Sequence, residues 1–397
     1  MKEQIIFVST NSFRTNRLLP AIEVLSKDYE IVCLSLGNGN IMLDLRSLYH
    51  LQLRSVFQRY LKLGIFNELI ANEIRLGEKN IPYWYEGDIE RVVEDLDLSR
   101  VRCVIYDDSR TAGHQIPKII FEPWYNRLKS LGIPVIANAH GNVDDHRFLK
   151  FMTLERKKIY DELFLYGKYD KSRTHNAIRS HMHEVGIPEN DLIKDRLGAS
   201  KKSHVLVVLN RVNCKALKMD KSIIDNLQIQ ELWEKYRVPI IFKVKEPPPS
   251  GTEHASSEKQ AIEKLLHDYY NRNRNNLSKE IGIIITEDEY QENMLLLDAC
   301  CVISYGSTMC FKPIQADVPT IIIKEMGNVA NFSDYHATIS IEEDIIAKID
   351  EWDLKLSERR RFLDNTLAGS LDYSSTAKYV QTVKRIIDDY KEKNTNQ

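Results

Sequence analysis

The chain has 397 residues, more than one core usually holds, and its 43% hydrophobic residues are enough for two domains of roughly 200 residues each. Lys and Arg (55) nearly balance Asp and Glu (57), a net charge of −2, so no global field directs the protein to nucleic acid or to an acidic membrane. No apolar run approaches the ~18 residues of a membrane span, and MKEQIIFVST is too short an apolar start for a signal peptide.

The chain opens with the apolar run QIIFV at 4–8, which ends in Ser9, Thr10, Asn11 and Ser12. Arg14 and Arg17 follow, then a helical pattern at Leu18, Leu19, Ile22 and Leu25 and a second strand, YEIVCLSL, at 29–36. This is the β-α-β opening of a doubly wound α/β domain. Its polar turn, with Ser9, Asn11, Arg14 and Arg17, falls at the carboxyl edge of the first strand, where open α/β sheets bind ligands. The two arginines either meet an anionic acceptor or are simply solvated.

Residues 41–99 have a mostly helical pattern with two aromatic clusters. Arg54, Arg59 and Lys62 among the apolar positions suit a partner or membrane-surface face, or an ordinary core with a solvated side. The strand VRCVIYDD at 101–108 and the strand IPVIANAHGN at 133–142 flank a helix through Trp124 and Leu128. Both strands end in polar clusters, Asp107-Asp108-Ser109-Arg110 and His140-Gly141-Asn142, expected on the same sheet edge. Asp107, Asp108 or His140 there can take a proton from an attacking hydroxyl; the plainer alternative is a helix cap and a turn residue. ELFLYGK at 162–168 reads as another strand, and Ile187-Pro188 and Gly198 as turns around a short strand within 185–200.

The second half restarts the rhythm with HVLVVLNRVN at 204–213, ending in Asn210 and Arg211. VPIIFKVKEPPPSG at 238–251 follows, in which Lys243 and Lys245 share one strand face and either meet phosphate or edge a solvated loop. A polar helix at 254–276, the strand IGIIIT at 281–286 and a helix at 288–299 lead to the stretch Leu295–Lys324. There the strand residues Cys301, Val302 and Ile303 run into Ser304, Tyr305, Gly306, Ser307 and Thr308, then a helix, then the strand Thr320–Ile323. A Gly-Ser-Thr turn at a helix start can offer backbone N–H groups and two hydroxyls to a phosphate, or Ser307 or Thr308 can merely cap the helix. The chain ends in a charged amphipathic helix at 375–393. Its six cysteines, at 33, 103, 214, 300, 301 and 310, show no C-x-x-C spacing and read as reduced, buried thiols of a cytosolic protein.

Four pieces carry a resemblance to the GT-B superfamily of sugar-nucleotide enzymes, nearest the bacterial capsule and teichoic-acid branch that includes CDP-glycerol glycerophosphotransferases. They are Ser307-Thr308 with Asp317-Val318-Pro319, the helix-to-strand run EDEYQENMLLLDACCVISYGS, FLYGK followed by VGIPENDLIKDRLG, and His140-Gly141. Non-hydrolysing UDP-N-acetylglucosamine 2-epimerases have a related layout. Two positions depart from the branch: Lys312 stands where an acidic residue is usual, and Lys245 where Lys-x-His-Pro would place a histidine.

The resemblance implies an α/β chain of two Rossmann-like doubly wound domains facing across a cleft. With the boundary at the polar, basic stretch Ser200–Ser203, these are an acceptor domain at 1–199, a nucleotide-donor domain at 200–374 and, at 375–397, a helix packing back on the first. The activity it implies is metal-independent transfer of a sugar or polyol-phosphate unit from a nucleotide-activated donor to a surface-polysaccharide, glycan or lipid-linked acceptor. The cytoplasm, or the inner face of the plasma membrane with peripheral attachment, is the expected place, with no cofactor beyond the donor and no nucleic-acid partner. Ser304, Gly306, Ser307, Thr308, Lys243, Lys245 and Arg211 would hold donor phosphate, and His140, Asp108 or Asp107 would act as base. Ser9, Asn11, Arg14 and Arg17 would meet the acceptor. An epimerase or hydrolase on the same scaffold, or a non-catalytic binding protein, remains the alternative.

Overall fold

A computed structural model of the chain describes residues 2–9, 17–35, 98–106, 125–139, 160–172, 176–198, 201–209, 226–244, 267–268, 271, 281–283, 289–326 and 332–395. The chain divides into two compact units, Met1–Leu192 with Asp364–Gln397, and Ile193–Leu363.

The first unit is built on a parallel sheet in the order β2-β1-β3-β4-β5-β6. Its strands are β1 Gln4–Ser9, β2 Glu30–Ser35, β3 Val101–Tyr106, β4 Val135–Asn138, β5 Glu162–Leu165 and β6 Met182–Glu184. Nearly continuous apolar runs suit strands that are covered on both faces, and side-chain alternation divides them between two cores. Ile6, Val8, Val104, Tyr106, Val135 and Leu163 pack with Tyr125 and Leu128 of the helical residues 125–130. Ile5, Phe7, Cys103, Ile105, Ile136 and Phe164 pack under the helices Leu19–Leu25 and Ser375–Thr395.

That last helix lays Tyr379, Val380, Val383, Ile386 and Ile387 on the sheet, a stripe at helical spacing. Its first turn is held by Asp191, whose carboxylate accepts from Ser375 N at 3.2 Å and Thr376 N at 2.6 Å. Gly186, at φ +75°, lets the chain pass close by: a Cβ there would lie 2.0 Å from the Ala368 carbonyl oxygen. Lys384 reaches Asp28 at 2.5 Å and Lys391 reaches Glu3 at 2.9 Å.

One sequence expectation fails in this unit. The stretch 185–200 holds no strand among its described residues; Pro188–Arg196 is a 3-10 helix, and the short strand lies earlier, at Met182–Glu184. Proline presets the φ of a first helical turn, and Glu189 and Asp191 favour its positive end. Three residues are too few for alternation to mark an edge strand in the sequence.

The second unit has its own parallel sheet, in the order β12-β11-β10-β7-β8-β9. The strands are β7 His204–Leu209, β8 Ile240–Val244, β9 Ile281–Ile283, β10 Ala299–Ser304, β11 Thr320–Ile323 and β12 Thr338–Ile339. Counted within the unit this is the 3-2-1-4-5-6 order of a Rossmann sheet, which reverses direction between β7 and β10. Phe311, Phe332, Tyr335 and Phe362 form its aromatic core, with Phe311 stacked on Phe332 at 5.2 Å between ring centroids. The two parallel, Rossmann-like sheets make this a GT-B-type α/β chain.

Candidate functional site

In the second unit the strand, turn, helix and strand expected at 295–324 are all present. Residues Tyr305, Gly306 and Ser307 leave β10 at its carboxyl end, beside the reversal point of the sheet, where α/β folds place ligands. A 3-10 turn, Thr308–Cys310, then passes into the helix Phe311–Gln315. Ser304 is fully buried and its hydroxyl donates to the Tyr305 carbonyl at 3.0 Å, so it braces the turn rather than facing a ligand. Ser307 N donates to the same carbonyl at 2.7 Å. Ser307 occupies the N-cap position, yet its hydroxyl makes no capping hydrogen bond. Capping therefore does not account for that side chain. Gly306 is not among the glycines with positive φ.

Lys243 is buried on β8 with 4% of its surface exposed. β8 and β10 both pair with β7, and Val208 stands opposite Lys243 on one side and Ser304 on the other. The lysine thus lies in the last turns of the strands, two strands from the start of the Ser304–Thr308 turn. Lys245, Asn210 and Arg211 lie outside the described residues.

Of the two positions that depart from the resemblance, Lys312 has a packing partner among the described residues. Lys312 Nζ donates to Asn293 Oδ1 at 2.7 Å, tying its helix to Glu289–Leu297. Asp317, of the Asp-Val-Pro element, follows the helix in the left-handed region at φ +59°. Its carboxylate accepts from Arg359 Nη2 at 2.7 Å and Trp352 Nε1 at 3.1 Å. Arg359 is 2% exposed, stacks 4.0 Å from the Trp352 ring centroid and donates to the Trp352 carbonyl.

The first unit carries a small pocket, open to solvent, at the carboxyl edge of its sheet. Arg17, Asn138 and Tyr166 supply its polar side chains, with Phe164, Ile187 and Pro188 among the apolar ones. Arg17 enters from the end of the β1-to-helix connection, and its Nη1 donates to the Tyr166 hydroxyl at 2.9 Å. Its carbonyl accepts from Glu189 N at 3.0 Å, which fixes the backbone against the 3-10 helix. Asn138 ends β4, and its Nδ2 donates to the Tyr106 carbonyl at 2.7 Å.

Of the candidate acceptor residues, then, the structure places Arg17 in a pocket. Ser9 closes β1 in the backbone, with its side chain outside the described residues, and so are Asn11 and Arg14. His140, Asp107 and Asp108 also fall outside them. Sequence reasoning missed Asn138 and Tyr166. The signals were a lone amide in the apolar strand VIAN and a tyrosine placed directly after ELFL. Among the described residues no group of His, Cys, Asp or Glu is placed to hold a metal ion, and no helix is long and apolar enough to cross a membrane. Cys103, Cys300, Cys301 and Cys310 are buried free thiols, as the sequence suggested.

No family model matches the chain, and no curated protein matches its sequence. Solved structures match its fold. UDP-GlcNAc 2-epimerase from Methanocaldococcus jannaschii is 14% identical with a TM-score of 0.57, over 96% of this chain and 99% of that one. The UDP-N-acetylglucosamine 2-epimerase of Rickettsia bellii is 14% identical with a TM-score of 0.56, over 98% and 97%. A UDP-forming α,α-trehalose-phosphate synthase from Burkholderia xenovorans is 11% identical with a TM-score of 0.53, over 98% and 99%. At such identities the likeness is one of fold, that of two-domain sugar-nucleotide enzymes.

Proposed function

We propose that the chain is a sugar-nucleotide enzyme whose second unit holds the nucleotide-activated donor and whose first unit takes the acceptor. The observation that carries this reading is the Gly306-Ser307-Thr308 turn at the reversal point of the second sheet, with a serine hydroxyl left uncommitted by helix capping. Amides of that turn, the Ser307 and Thr308 hydroxyls and the charge of Lys243 would stabilise negative charge on the leaving nucleotide phosphate. Arg211 and Lys245 are proposed to add to that charge. Ser304 is better read as bracing the turn. His140 or Asp108, with Asp107 beside it, would take the proton of the acceptor hydroxyl.

The reaction favoured is transfer of a sugar or polyol-phosphate unit to a glycan or lipid-linked acceptor, with no step routed through a metal or a further cofactor. The fold neighbours support a nucleotide-sugar ligand, since one is a Staphylococcus aureus protein solved with UDP and another a Neisseria meningitidis epimerase solved with UDP-GlcNAc. They favour a second reading equally: epimerisation of the sugar nucleotide itself, with the carboxylates of Asp107 and Asp108 exchanging the proton.

One experiment separates them. The purified chain is screened by thermal shift against UDP, CDP, CMP and GDP and their sugar or glycerol conjugates, and the binding conjugate is then incubated alone. Ligand at 100 times its dissociation constant adds about 2.7 kcal/mol of stability, a readable shift. Conversion without an acceptor selects the epimerase or hydrolase; intact conjugate that turns over only with added acceptor selects the transferase. A chain that binds none of the nucleotides is a non-catalytic relative, and the reading fails.

A further inference from the structure

We propose that Arg385, His183 and Glu162 form an acid-released clasp, in which a second proton on the His183 ring frees the middle of the C-terminal helix from the edge strand of the first sheet. The device lies wholly within the first unit and does not rest on the reading above.

Strand register brings the parts together. His183 of β6 stands opposite Phe164 of β5, and Glu162 lies two residues before Phe164, so both side chains belong to the face that the Ser375–Thr395 helix covers. The His183 ring packs T-shaped on Phe164, 5.7 Å between centroids. Glu162 is 8% exposed, and each of its oxygens is taken by a histidine: Oε2 lies 2.8 Å from His183 Nε2 and Oε1 3.2 Å from His181 Nδ1. On the far side of its ring, His183 Nδ1 lies 3.2 Å from Arg385 Nη2 of the helix. A guanidinium can only donate, so Nδ1 is the bare, accepting nitrogen and Nε2 carries the one ring proton, donated to the carboxylate.

The contact with Arg385 therefore exists only while His183 holds a single proton. A second proton turns Nδ1 into a donor facing a donor and sets an imidazolium against a guanidinium. The bond to Glu162 becomes charge-assisted in that state, so the ring stays with the strand and the arginine gives way. His181 has no such gate, because its Nδ1 donates to Glu162 with one ring proton or two. Burial pushes the Glu162 carboxyl up, but the bonds and charges of His183 and His181 outweigh it and leave its pKa lowered, so the acceptor stays ionised as the ring titrates. The neighbouring charges do not replace the clasp. Lys384 and Lys391 tie the helix to Asp28 and Glu3, whose carboxyls these lysines hold below the usual range, so both ties outlast the clasp in mild acid. Glu184, next on β6, pairs with Lys171 at 3.7 Å. Asp161, its carboxyl pushed up by burial, bonds to Val135 N and Tyr125 on the opposite face of the sheet. The Tyr390 phenol of the helix is raised by burial and by Asp161 and Glu162, and stays neutral. Asp388 and Asp389, one turn beyond Arg385, offer the released guanidinium another partner.

The test is amide exchange of the full chain, read by mass spectrometry at about pH 7.5 and pH 5.5 and corrected for intrinsic rates, in wild type, His183→Gln, His181→Gln and Arg385→Ala. Protection within residues 380–390 should fall about threefold to tenfold at the lower pH in wild type and in His181→Gln, the loss of one hydrogen bond. His183→Gln, whose amide does not titrate, should show no such fall. Arg385→Ala should start from the lower protection and keep it at both pH values. Nitrogen-15 spectra of the His183 ring should place its single proton on Nε2 at the higher pH. Equal wild-type protection at both pH values, an equal fall in His183→Gln, loss of the pH response in His181→Gln instead, or a lone ring proton on Nδ1 overturns the proposal. The wild-type comparison and the ring spectrum decide the matter even where a variant fails to fold.

Discussion

Lys243 and Ser304 stand in one row across the second sheet, each in register with Val208 on the strand between them. The row lies at the carboxyl ends of the strands. It places a buried ammonium on the sheet face from which Ser304 leads into the Gly-Ser-Thr turn, since residues in register across parallel strands point the same way.

From this placement, Ser307→Ala combined with Thr308→Ala should weaken nucleotide binding by about tenfold to a hundredfold, the loss of hydroxyl bonds to a charged group. Lys243→Met, which keeps the apolar stem, should do the same. Titration with the nucleotide found by the thermal screen checks both. Untouched affinity in the double variant would remove the turn from the donor site.

Asp317 is exposed, but its loss is felt in the core. Asp317→Ala leaves the buried Arg359 guanidinium without its carboxylate and should cost about 1.5–3 kcal/mol. Asp317→Asn keeps an oxygen for Trp352 and a side chain that tolerates φ +59°, so its loss should be smaller. Urea unfolding of the two variants measures the difference, and equal losses would show that the carboxylate charge alone, rather than backbone strain or the bond to Trp352, is at stake.

The seat of the C-terminal helix gives a second pair. Gly186→Ala drives a Cβ into the Ala368 carbonyl at positive φ and should cost more than about 1 kcal/mol. Asp191→Ala uncaps the Ser375–Thr395 helix and should cost about 1 kcal/mol. Thermal unfolding should show both losses, with amide exchange in residues 375–379 accelerated in Asp191→Ala.

His336 makes stability depend on pH. Neither ring nitrogen has a hydrogen-bond partner among the described residues, and burial, aided by the nearby Arg359, Lys355 and Lys348 against Glu358, lowers its pKa to about 4. The unfolded chain protonates this group near pH ~6.5, so between there and about 4 the unfolded state binds more protons and stability falls as pH drops. His336→Phe, beside Tyr335 and Trp352, should lose less stability than wild type between pH 7 and pH 5. Urea midpoints at the two pH values decide it; parallel losses would remove His336 from the acid response.

Much of the architecture was legible because strands covered on both faces write themselves as apolar runs. QIIFV, VRCVIY, HVLVVL and CCVIS each became a parallel strand, and the turn after Ser304 fell where its small residues put it. The three-residue strand Met182–Glu184 and the 3-10 helix after Pro188 were not legible, since neither is long enough to show a period.

The sequence alone determined most of the described strands and therefore two parallel α/β sheets, because alternation and helical spacing are local properties of the chain. The tertiary structure decided what individual polar residues do. Arg17, Tyr166 and Asn138 share one pocket although up to 149 residues separate them. Lys312 bonds across to Asn293, and Asp317 holds an arginine 42 residues away. Such roles depend on which strands pair and in what register, and pairing is a contact between distant segments that no local pattern encodes.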